Sequence, residues 1–328
     1  ITKPNKIIPL IEKLLNESDA NLVVSGSSPA KGAPPETPEQ YLIRVARNRG
    51  IQSLAILDCW GLYLERFANI NGDLDDTLIP DVICVMDKIA KEDLVSLGIN
   101  AEKLYITHNP WLDQIANHVL EPCKEIGVAR KILFVSQPIA EFREIRGWNY
   151  SQDSIFQNLI QTLLRINRSE SRDVVVLPHP AEDHSRWQQT KLPQSSGINI
   201  EVTNRRDKQL FACADLVVSS HSTMSYEAAY YSIPGLSLRI NGPRLEKHIT
   251  DRFGLTNLVS THAELYNYLQ YVDFSAERGR LIQLKKNLKK QGIFFSDGHA
   301  TERVEKIIDL MLSRQNISST PYARTKLS

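Results

Sequence analysis

The most informative segment of the sequence runs Asp215-Leu-Val-Val-Ser-Ser-His-Ser-Thr-Met-Ser-Tyr-Glu-Ala-Ala-Tyr-Tyr-Ser-Ile-Pro-Gly235. It opens with an apolar run of strand length, and small hydroxyl residues then lead directly into a helical pattern. Pro234 ends that helix, and the next apolar run, Gly235–Leu238, begins at once. A strand, a tight turn, a helix and another strand in this order predict a parallel sheet covered by helices on both faces.

The same alternation extends in both directions and restarts once along the 328 residues. In the first half we predict strands at Asn21–Ser25, Ser53–Leu57, Asp81–Met86 and Lys103–Ile106, and helices at Ile7–Glu17, Thr37–Arg49, Ala90–Gly98 and Trp111–Leu120. In the second half we predict strands at Lys131–Ser136, Asp173–Leu177, Asn199–Val202, Leu216–Ser219 and Gly235–Leu238, and helices at Gln152–Asn167, Asp207–Ala214, Ser222–Tyr231, Thr261–Gln270, Ala276–Gln291 and Ala300–Ser313. We therefore expect an α/β protein of two Rossmann-like parallel-sheet domains facing a cleft, residues 1–122 and 123–313, followed by a polar tail over 314–328.

Composition limits the classes of partner and compartment. The formal net charge is +1, so no global field attracts nucleic acid, and we expect none as a partner. No segment has the length of apolar sequence that a membrane span needs, and the first residues form an amphipathic pattern unlike a signal peptide. The four cysteines, Cys59, Cys84, Cys123 and Cys213, are scattered and suit reduced thiols better than a disulfide frame. These features predict a cytoplasmic protein.

The turn after Leu216–Ser219 has the chemistry of an anion site. Free backbone N–H groups and the positive end of the helix dipole favour negative charge at a helix start. Ser222 or Thr223 can cap that start and also donate hydroxyls to a phosphate. Glu227, one turn further in, can accept hydrogen bonds from a ribose diol. Alternatively, Ser222 is only a helix cap and Glu227 is an ordinary first-turn carboxylate.

Four motifs resemble the GT-B-type glycosyltransferases and their relatives. The first combines Asp215, the Ser219–Thr223 turn, Glu227-Ala228-Ala229 and Pro234. The others are His179-Pro180 at the end of a strand, the turn Asp297-Gly298-His-Ala-Thr-Glu-Arg303 into the last helix, and Asn109-Pro110-Trp-Leu-Asp113, which has His108 where Gly is usual. The His-Pro motif looks like that of bacterial capsule sialyl- and polysialyltransferases and teichoic-acid polymerases, and the UDP-N-acetylglucosamine 2-epimerases have a similar strand ending in a histidine.

This resemblance implies a GT-B-like fold and a function in polysaccharide biosynthesis or a related pathway. The expected activity is that of a metal-independent glycosyltransferase, which moves a sugar from a nucleotide-sugar donor to a hydroxyl of a glycan or small metabolite. The His-Pro motif favours a CMP-linked donor and the epimerase-like pattern a UDP-linked one; no further cofactor is implied. Two alternatives remain: a sugar-nucleotide epimerase or hydrolase on the same fold, and a non-catalytic GT-B-like binding protein.

The resemblance also implies roles for individual residues. Residues 1–122 would form the acceptor side and residues 123–313 the nucleotide-donor-binding side. The donor would contact His179, Ser220, His221, Ser222, Thr223 and Glu227. His179 would also stabilise the leaving nucleotide, although a histidine can simply close a strand. Asp58 or Glu36 would activate the acceptor hydroxyl, although Asp58 can equally cap the following helix.

Several further side chains have an expected position without a fixed role. Trp60, Tyr63 and Arg66 follow Asp58 and are predicted to line an acceptor, and Arg143 and Arg146 follow a strand on the donor side and are predicted to meet the diphosphate or an acidic sugar. Asp73-Leu-Asp75 contains the DxD spacing of some metal sites, but its polar loop lacks the rest of a calcium pattern, so we predict a surface turn and no metal. The basic run Lys285, Lys286, Lys289 and Lys290 forms either a solvated helix face or a weak contact with anionic lipid.

Overall fold

A computed structural model describes residues 4–28, 37–69, 71–116, 130–141, 149–166, 171–183, 185–189, 197–206, 209–242 and 248–313. The chain divides into two compact units. Unit 1 comprises residues 1–117 together with 288–328, and unit 2 comprises residues 118–287. Unit 1 is therefore built from both ends of the chain, and unit 2 from the middle.

Unit 1 is built on a four-stranded parallel sheet in the order β1-β2-β3-β4. Its strands are β1 (Leu22–Ser25), β2 (Gln52–Ile56), β3 (Val82–Val85) and β4 (Leu104–Ile106). The helices that alternate with them are α1 (Pro4–Glu17), α2 (Pro38–Asn48), α3 (Tyr63–Phe67), α4 (Lys88–Ser96) and α5 (Pro110–Ala116). Short 3-10 turns at Asp76–Leu78 and Ala101–Lys103 lead into β3 and β4. Because the strands are parallel, the loops at their carboxyl ends share one edge of the sheet.

The last helix of the chain completes the core of unit 1. In α13 (Ala300–Leu312), Val304, Ile307 and Met311 recur at helical spacing and so lie on one face. They pack against buried side chains from three strands of the sheet, namely Leu54, Val82, Cys84 and Tyr105. The helix α13 therefore belongs to the core of the sheet that the first half of the chain forms.

Unit 2 contains a six-stranded parallel sheet in the order β10-β9-β8-β5-β6-β7. Its strands are β5 (Arg130–Val135), β6 (Arg172–Leu177), β7 (Ile198–Val202), β8 (Leu216–Ser219), β9 (Gly235–Leu238) and β10 (Thr256–Val259). Its helices are α6 (Gln152–Arg165), α7 (Ser185–Gln189), α8 (Gln209–Ala212), α9 (Met224–Tyr230), α10 (Ile249–Arg252), α11 (His262–Tyr271) and α12 (Phe274–Lys290), the last of which runs across the unit boundary.

Strand β5 lies at the point where the strand order of unit 2 reverses. It pairs with β6 on one side and with β8 on the other. The connection that leaves β5 leads to β6 on one side, and the connection that leaves β8 leads to β9 on the other. Because these two connections diverge, a crevice opens at the carboxyl ends of β5 and β8. Open parallel sheets bind their ligands in such a crevice.

The predicted architecture is confirmed, with differences at short elements. Two parallel sheets with alternating helices are present, and every predicted strand exists within about two residues of its predicted ends. Strand β10 was not predicted, because Thr256 and Val259 are buried while the residues between them are more exposed, which weakens its apolar signal. Helices α3, α7 and α10 were also missed, since four or five residues are too few to show periodicity.

The structure also bears on the state of the cysteines and on membrane-spanning helices. Cys213 is disulfide-bonded, whereas Cys59 and Cys84 are free thiols, so the prediction of four reduced cysteines is wrong. Throughout the described ranges, no helix is long and apolar enough to cross a membrane. The predicted tail at 314–328 lies outside the described residues.

Candidate functional site

Three loops meet the crevice at the carboxyl edge of the unit 2 sheet. They follow β5, β6 and β8 and carry Gln137, His179 and the Ser220–Thr223 turn. The side-chain oxygen of Gln137 accepts a hydrogen bond of 2.8 Å from the backbone N–H of His221. This bond joins the loops after β5 and β8 across the switch point, so the structure brings together residues 84 positions apart in sequence.

Buried hydrogen bonds fix the loop after β8. The hydroxyls of Ser219 and Ser225 lie 2.9 Å apart, and both side chains are buried. Arg239 donates from Nε to the carbonyl oxygen of Ser220 at 2.9 Å and forms a 2.5 Å ion pair with Asp251. The loop is therefore held from beneath by a buried guanidinium, a feature that sequence reasoning missed. Arg239 directly follows β9, and that position was its one signal.

The two predicted caps of α9 behave differently. Ser222 is buried, and its hydroxyl accepts a 3.2 Å hydrogen bond from the backbone N–H of Met224. Thr223 is exposed, already has helical backbone angles, and makes no side-chain capping bond. The helix was predicted to begin at Ser222, but it begins at Met224, because Ser222 and Thr223 form the turn that precedes it. The Thr223 hydroxyl thus faces solvent, where a ligand can reach it.

Histidines and tyrosines surround this turn. Ser220 accepts or shares hydrogen bonds with His221 Nδ1 at 3.0 Å and with the Tyr150 hydroxyl at 3.3 Å. His248 stacks almost parallel on the ring of Tyr226, with 4.7 Å between centroids. Burial, followed by the nearby charges of His221 and Arg239, lowers the pKa of His248 to about 3. Burial therefore keeps the His248 ring neutral, and the nearby Arg239 is paired with Asp251.

His179 is half-buried at the end of β6, and its tautomer follows from one contact. Nδ1 accepts a 3.1 Å hydrogen bond from the backbone N–H of Ala181. In the neutral ring the proton then resides on Nε2, which becomes a donor. Glu182, buried nearby, accepts hydrogen bonds from Ser136 at 2.8 Å and from Trp187 at 2.9 Å and ties this loop to the end of β5. Burial raises the pKa of Glu182, and these two donors oppose the shift.

Glu227 lies within α9, half-buried and close to Tyr231. Burial, and then the Glu227 charge, raises the pKa of the Tyr231 hydroxyl to about 12. Asp215, also part of the motif, lies at the opposite end of β8. Its carboxylate accepts a 3.1 Å hydrogen bond from the Lys131 backbone N–H and so aligns β5 with β8. Asp215 is therefore a structural residue, and Glu227 remains a predicted ligand contact.

In unit 1, Asp58 presents its carboxylate to solvent from the loop after β2. Its side chain is 71% exposed, and it accepts a 2.9 Å hydrogen bond from Arg66, whose side chain is 0% exposed. The guanidinium also contacts the Ser27 hydroxyl at 3.0 Å and Cys59 Sγ at 3.0 Å. Arg66 therefore fixes the loops after β1 and β2. Helix α3 begins after Leu62 with no side-chain cap, so the alternative of Asp58 as its cap is not observed.

The other predicted acceptor-side residues lie beneath the surface or outside the described residues. Trp60, Tyr63 and Arg66 are all buried, so the prediction that they line an acceptor is wrong. Trp60 packs inward, where its Nε1 donates to the buried carboxylate of Asp87 at 3.0 Å, and Arg66 is held by Ser27, Asp58 and Cys59. Two groups of candidates, Glu36 and the donor-side residues Arg143 and Arg146, lie outside the described residues.

Two of the resembling motifs meet in unit 1 and form a structural lock. Asp113 is buried, and one of its carboxylate oxygens accepts a 2.6 Å hydrogen bond from the backbone N–H of Ala300. The other oxygen accepts from the hydroxyl of Ser296. Asp297 and Arg303 form an ion pair next to this point. The motif ending at Asp113 therefore holds the start of α13, which explains why both patterns occur in one chain.

The features set aside in the sequence have simple structural roles. The Asp75 carboxylate accepts two hydrogen bonds from Thr77, which occupies it in a local turn. Within the described ranges, no group of three or more potential ligands could hold a metal ion. Lys285 donates to the carbonyl of Tyr230, and burial lowers its pKa to about 8. Lys285 is therefore half-buried and directed towards the protein, and a membrane contact of this basic run stays a prediction. Lys286, Lys289 and Lys290 are exposed.

The stability of unit 2 is expected to fall as the pH drops from about 6.5 towards 5. Because the pKa of His248 is lowered to about 3 when folded, the unfolded chain binds a proton in this range that the folded chain does not. Denaturation midpoints of the protein and of His248→Gln across this range test the prediction, and the variant should show a smaller loss. His262→Gln, on exposed α11, is the control and should keep the original slope; equal slopes in all three would contradict the assignment.

Comparison with known proteins adds a fold-level relationship. No protein-family model matches the sequence, and no curated protein matches it. Among solved structures, S. aureus MnaA with UDP is 16% identical, with a TM-score of 0.65 over 94% of this chain and 80% of that chain. The UDP-GlcNAc 2-epimerase of Methanocaldococcus jannaschii, in complex with UDP-GlcNAc and UDP, is 18% identical, with a TM-score of 0.58 over 93% and 80%.

A third similar structure is a glycotransferase rather than an epimerase. The glycotransferase of kitacinnamycin is 13% identical, with a TM-score of 0.53 over 93% of this chain and 80% of that chain. At these identities the similarity establishes the fold and leaves the reaction open. The chain has two Rossmann-like parallel-sheet units, and it shares this fold with solved structures of UDP-GlcNAc 2-epimerases and of a glycotransferase.

Proposed function

We propose that the chain is an enzyme acting on a nucleotide-linked sugar, and specifically a metal-independent glycosyltransferase. The observation that carries this proposal is the 2.8 Å bond between Gln137 and the His221 backbone. It joins two loops at the switch point of a parallel sheet, where nucleotides bind in such folds. We further propose that the donor carries UDP, since UDP occurs in the descriptions of two of the similar structures; a CMP-linked donor is the competing choice.

Each donor-side residue has a role that its position supports. The exposed Thr223 hydroxyl and the Nε2 donor of His179 would contact phosphate oxygens. His179 would also stabilise the charge that develops on the leaving nucleotide. Ser220, His221 and Ser222 form the turn that presents these groups, and Glu227 would accept from the ribose diol. Asp58, with its exposed carboxylate, would lie on the acceptor side, and Glu36 is the second candidate there.

A sugar-nucleotide epimerase is the second candidate, favoured by the M. jannaschii enzyme among the similar structures. Moving protons on and off a sugar carbon needs acid and base groups around that carbon. At the carboxyl ends of the described unit 1 strands, Asp58 is exposed. Asp87 is buried and used by Trp60 and by the start of α4. This sparse set of carboxylates favours transfer, in which one base suffices.

Nucleotide binding tests the donor site. UDP at about 100 times its dissociation constant should stabilise the protein by about 2.7 kcal/mol, and the Ser222→Ala/Thr223→Ala double variant should lose this increment. CMP, CDP, GDP and dTDP complete the panel. Because Ser222 is also a cap, the ligand-induced shift is compared rather than the absolute melting temperature. Thr261→Ala removes the matched cap of α11 and should keep the full shift. If no nucleotide stabilises the protein, the donor site and the enzyme proposal are both overturned.

Product analysis separates the reactions once a nucleotide binds. A transferase incubated with the UDP-sugar and water releases UDP slowly, in the presence of EDTA as well as without it. An epimerase gives an isomeric UDP-sugar or a free altered sugar under the same conditions. Binding without any turnover would leave the third alternative, a non-catalytic binding protein, and would contradict the transferase proposal.

A further inference from the structure

The backbone at His108 has a conformation that residues other than glycine seldom adopt. It directly follows β4, and its φ of 62° lies in the left-handed region. The motif that this loop resembles usually has Gly there, which adopts this conformation without steric cost. A histidine at such a position is strained, and residues strained in this way cluster at functional sites. The strain at His108 therefore points to a function of its imidazole.

Hydrogen bonding fixes the tautomer of His108. Its Nδ1 lies 2.9 Å from the carbonyl oxygen of Met86, which can only accept, so Nδ1 carries a proton. In the neutral ring, Nε2 then carries the lone pair, and it has no hydrogen-bond partner among the described residues. The ring packs against Phe295, with 4.4 Å between centroids, and is half-buried. The side chain is thus oriented, with a basic nitrogen left for another molecule.

Burial keeps the His108 ring neutral near pH 7. Burial lowers the pKa of His108, and the Arg303 guanidinium lowers it further. The carboxylates of Asp297 and Asp87 and the bond to Met86 oppose that shift. Asp297 is itself held by Arg303, and Asp87 by Trp60. With its pKa lowered, His108 is deprotonated at physiological pH and gains a proton only when the solution becomes acidic.

His108 lies on the same sheet edge as Asp58. The next residue, Asn109, is buried and donates from Nδ2 to the backbone carbonyl of Asp58 at 2.7 Å, which joins the loops after β2 and β4. The Asp58 carboxylate is ion-paired with buried Arg66, whereas the His108 lone pair has no such partner in the described part of the chain. A general base must hold a free lone pair at the working pH, and the neutral imidazole of His108 meets this condition.

We propose that His108 Nε2 is the general base that takes the proton of the acceptor hydroxyl; this rests on the transferase function proposed above. The acceptor O–H bond breaks, and its proton moves to Nε2 to give an imidazolium. The acceptor oxygen forms a bond to the anomeric carbon of the donor sugar. The bond from that carbon to the phosphate oxygen breaks, and its electron pair leaves with the nucleotide. Asp58 is then a neighbouring polar group that orients the acceptor.

The test is replacement of His108 by Gly, with water as the acceptor and a panel of UDP- and CMP-linked sugars as donors. His108→Gly suits the left-handed backbone, so it should fold at least as well as the native chain. Nucleotide release should fall by about 10²–10⁴-fold, and the nucleotide-induced thermal shift, which reports unit 2, should be unchanged. Added imidazole should restore release, and the acidic limb of the native pH–rate profile should be absent from the variant. Ser232→Gly, at the matched φ of 59°, controls for the backbone change.

The outcomes separate this inference from the proposed function. Native turnover that persists undiminished in His108→Gly overturns the role of His108 and leaves the transferase proposal standing. Lost turnover that imidazole does not rescue, together with an unchanged pH profile, assigns His108 a structural role only and also overturns the inference. If the native protein binds a nucleotide but turns over no donor, the transferase function itself fails and the inference fails with it.

Discussion

Replacing Arg239 with methionine is expected to lower the stability of unit 2 by about 3–5 kcal/mol. The Arg239 and Asp251 side chains are 6% and 1% exposed, and their charged atoms lie 2.5 Å apart. Removal of the guanidinium leaves a buried carboxylate without its counter-charge. The Ser220 carbonyl also loses its 2.9 Å donor, so the loop after β8 is released at the same time. Loss of a buried charge partner costs far more than the intact pair contributes.

Hydrogen exchange measures this effect unit by unit. Amides of β5 and β8 should exchange faster in Arg239→Met, while those of β3 in unit 1 provide the reference. The control is Arg280→Met, because Arg280 and Glu277 form an ion pair of the same 2.5 Å length but are 41% and 15% exposed. The exposed pair should be worth about 0–1 kcal/mol. Equal effects of the two substitutions would show that burial does not set the cost.

Replacing Asp113 with alanine is the second large effect, and we expect a loss of about 3 kcal/mol in unit 1. The substitution removes the acceptor for the Ala300 N–H at 2.6 Å and for the Ser296 hydroxyl, and buried donors left unpaired cost about 1–3 kcal/mol each. Because α13 covers the sheet through Val304, Ile307 and Met311, loosening its start also exposes apolar surface.

An exposed cap provides the comparison for Asp113. The carboxylate of Asp273 accepts from the backbone N–H groups of Ser275 and Ala276 at the start of α12, in an exposed position. Asp273→Ala should cost only about 1 kcal/mol, because water replaces the lost bonds. Exchange of β2 and β3 amides reports on Asp113→Ala. Unchanged protection there would mean that the lock does not hold α13 in place.

The positions of the strands were predictable because buried parallel strands have a strong signal in the local sequence. The runs at Asp173–Leu177 and Leu216–Ser219 are almost wholly apolar, and their strands are buried on both faces. The short helices α3 and α10 lack a full period, and their positions depend on tertiary contacts. The pairing of β5 between β6 and β8 also lies beyond a single sequence, since it is decided by which connections cross the sheet.

The candidate site was predictable as loops but not as contacts. The ends of β6 and β8 gave His179 and Ser222, since ligands of parallel sheets bind after strands. The sequence could not show that Arg66 is buried, because a guanidinium enters a core only where carbonyl and carboxylate partners converge on it. His108 was visible only as a departure from a usual Gly. Its role depends on the Met86 carbonyl, 22 residues away.

The return of α13 to the first sheet affects how the chain can fold during synthesis. The strands of unit 1 are made well before the helix that covers them, because the whole of unit 2 lies between the two in the sequence. At typical rates of about 5–20 residues per second, roughly 10–40 s separate the two. During this interval Leu54 and Tyr105 lack the side chains that cover them in the finished protein, while unit 2 already has its complete sequence. A nascent chain stalled before residue 300 should therefore hold a folded middle and an open beginning, which makes the first half the natural client of a chaperone.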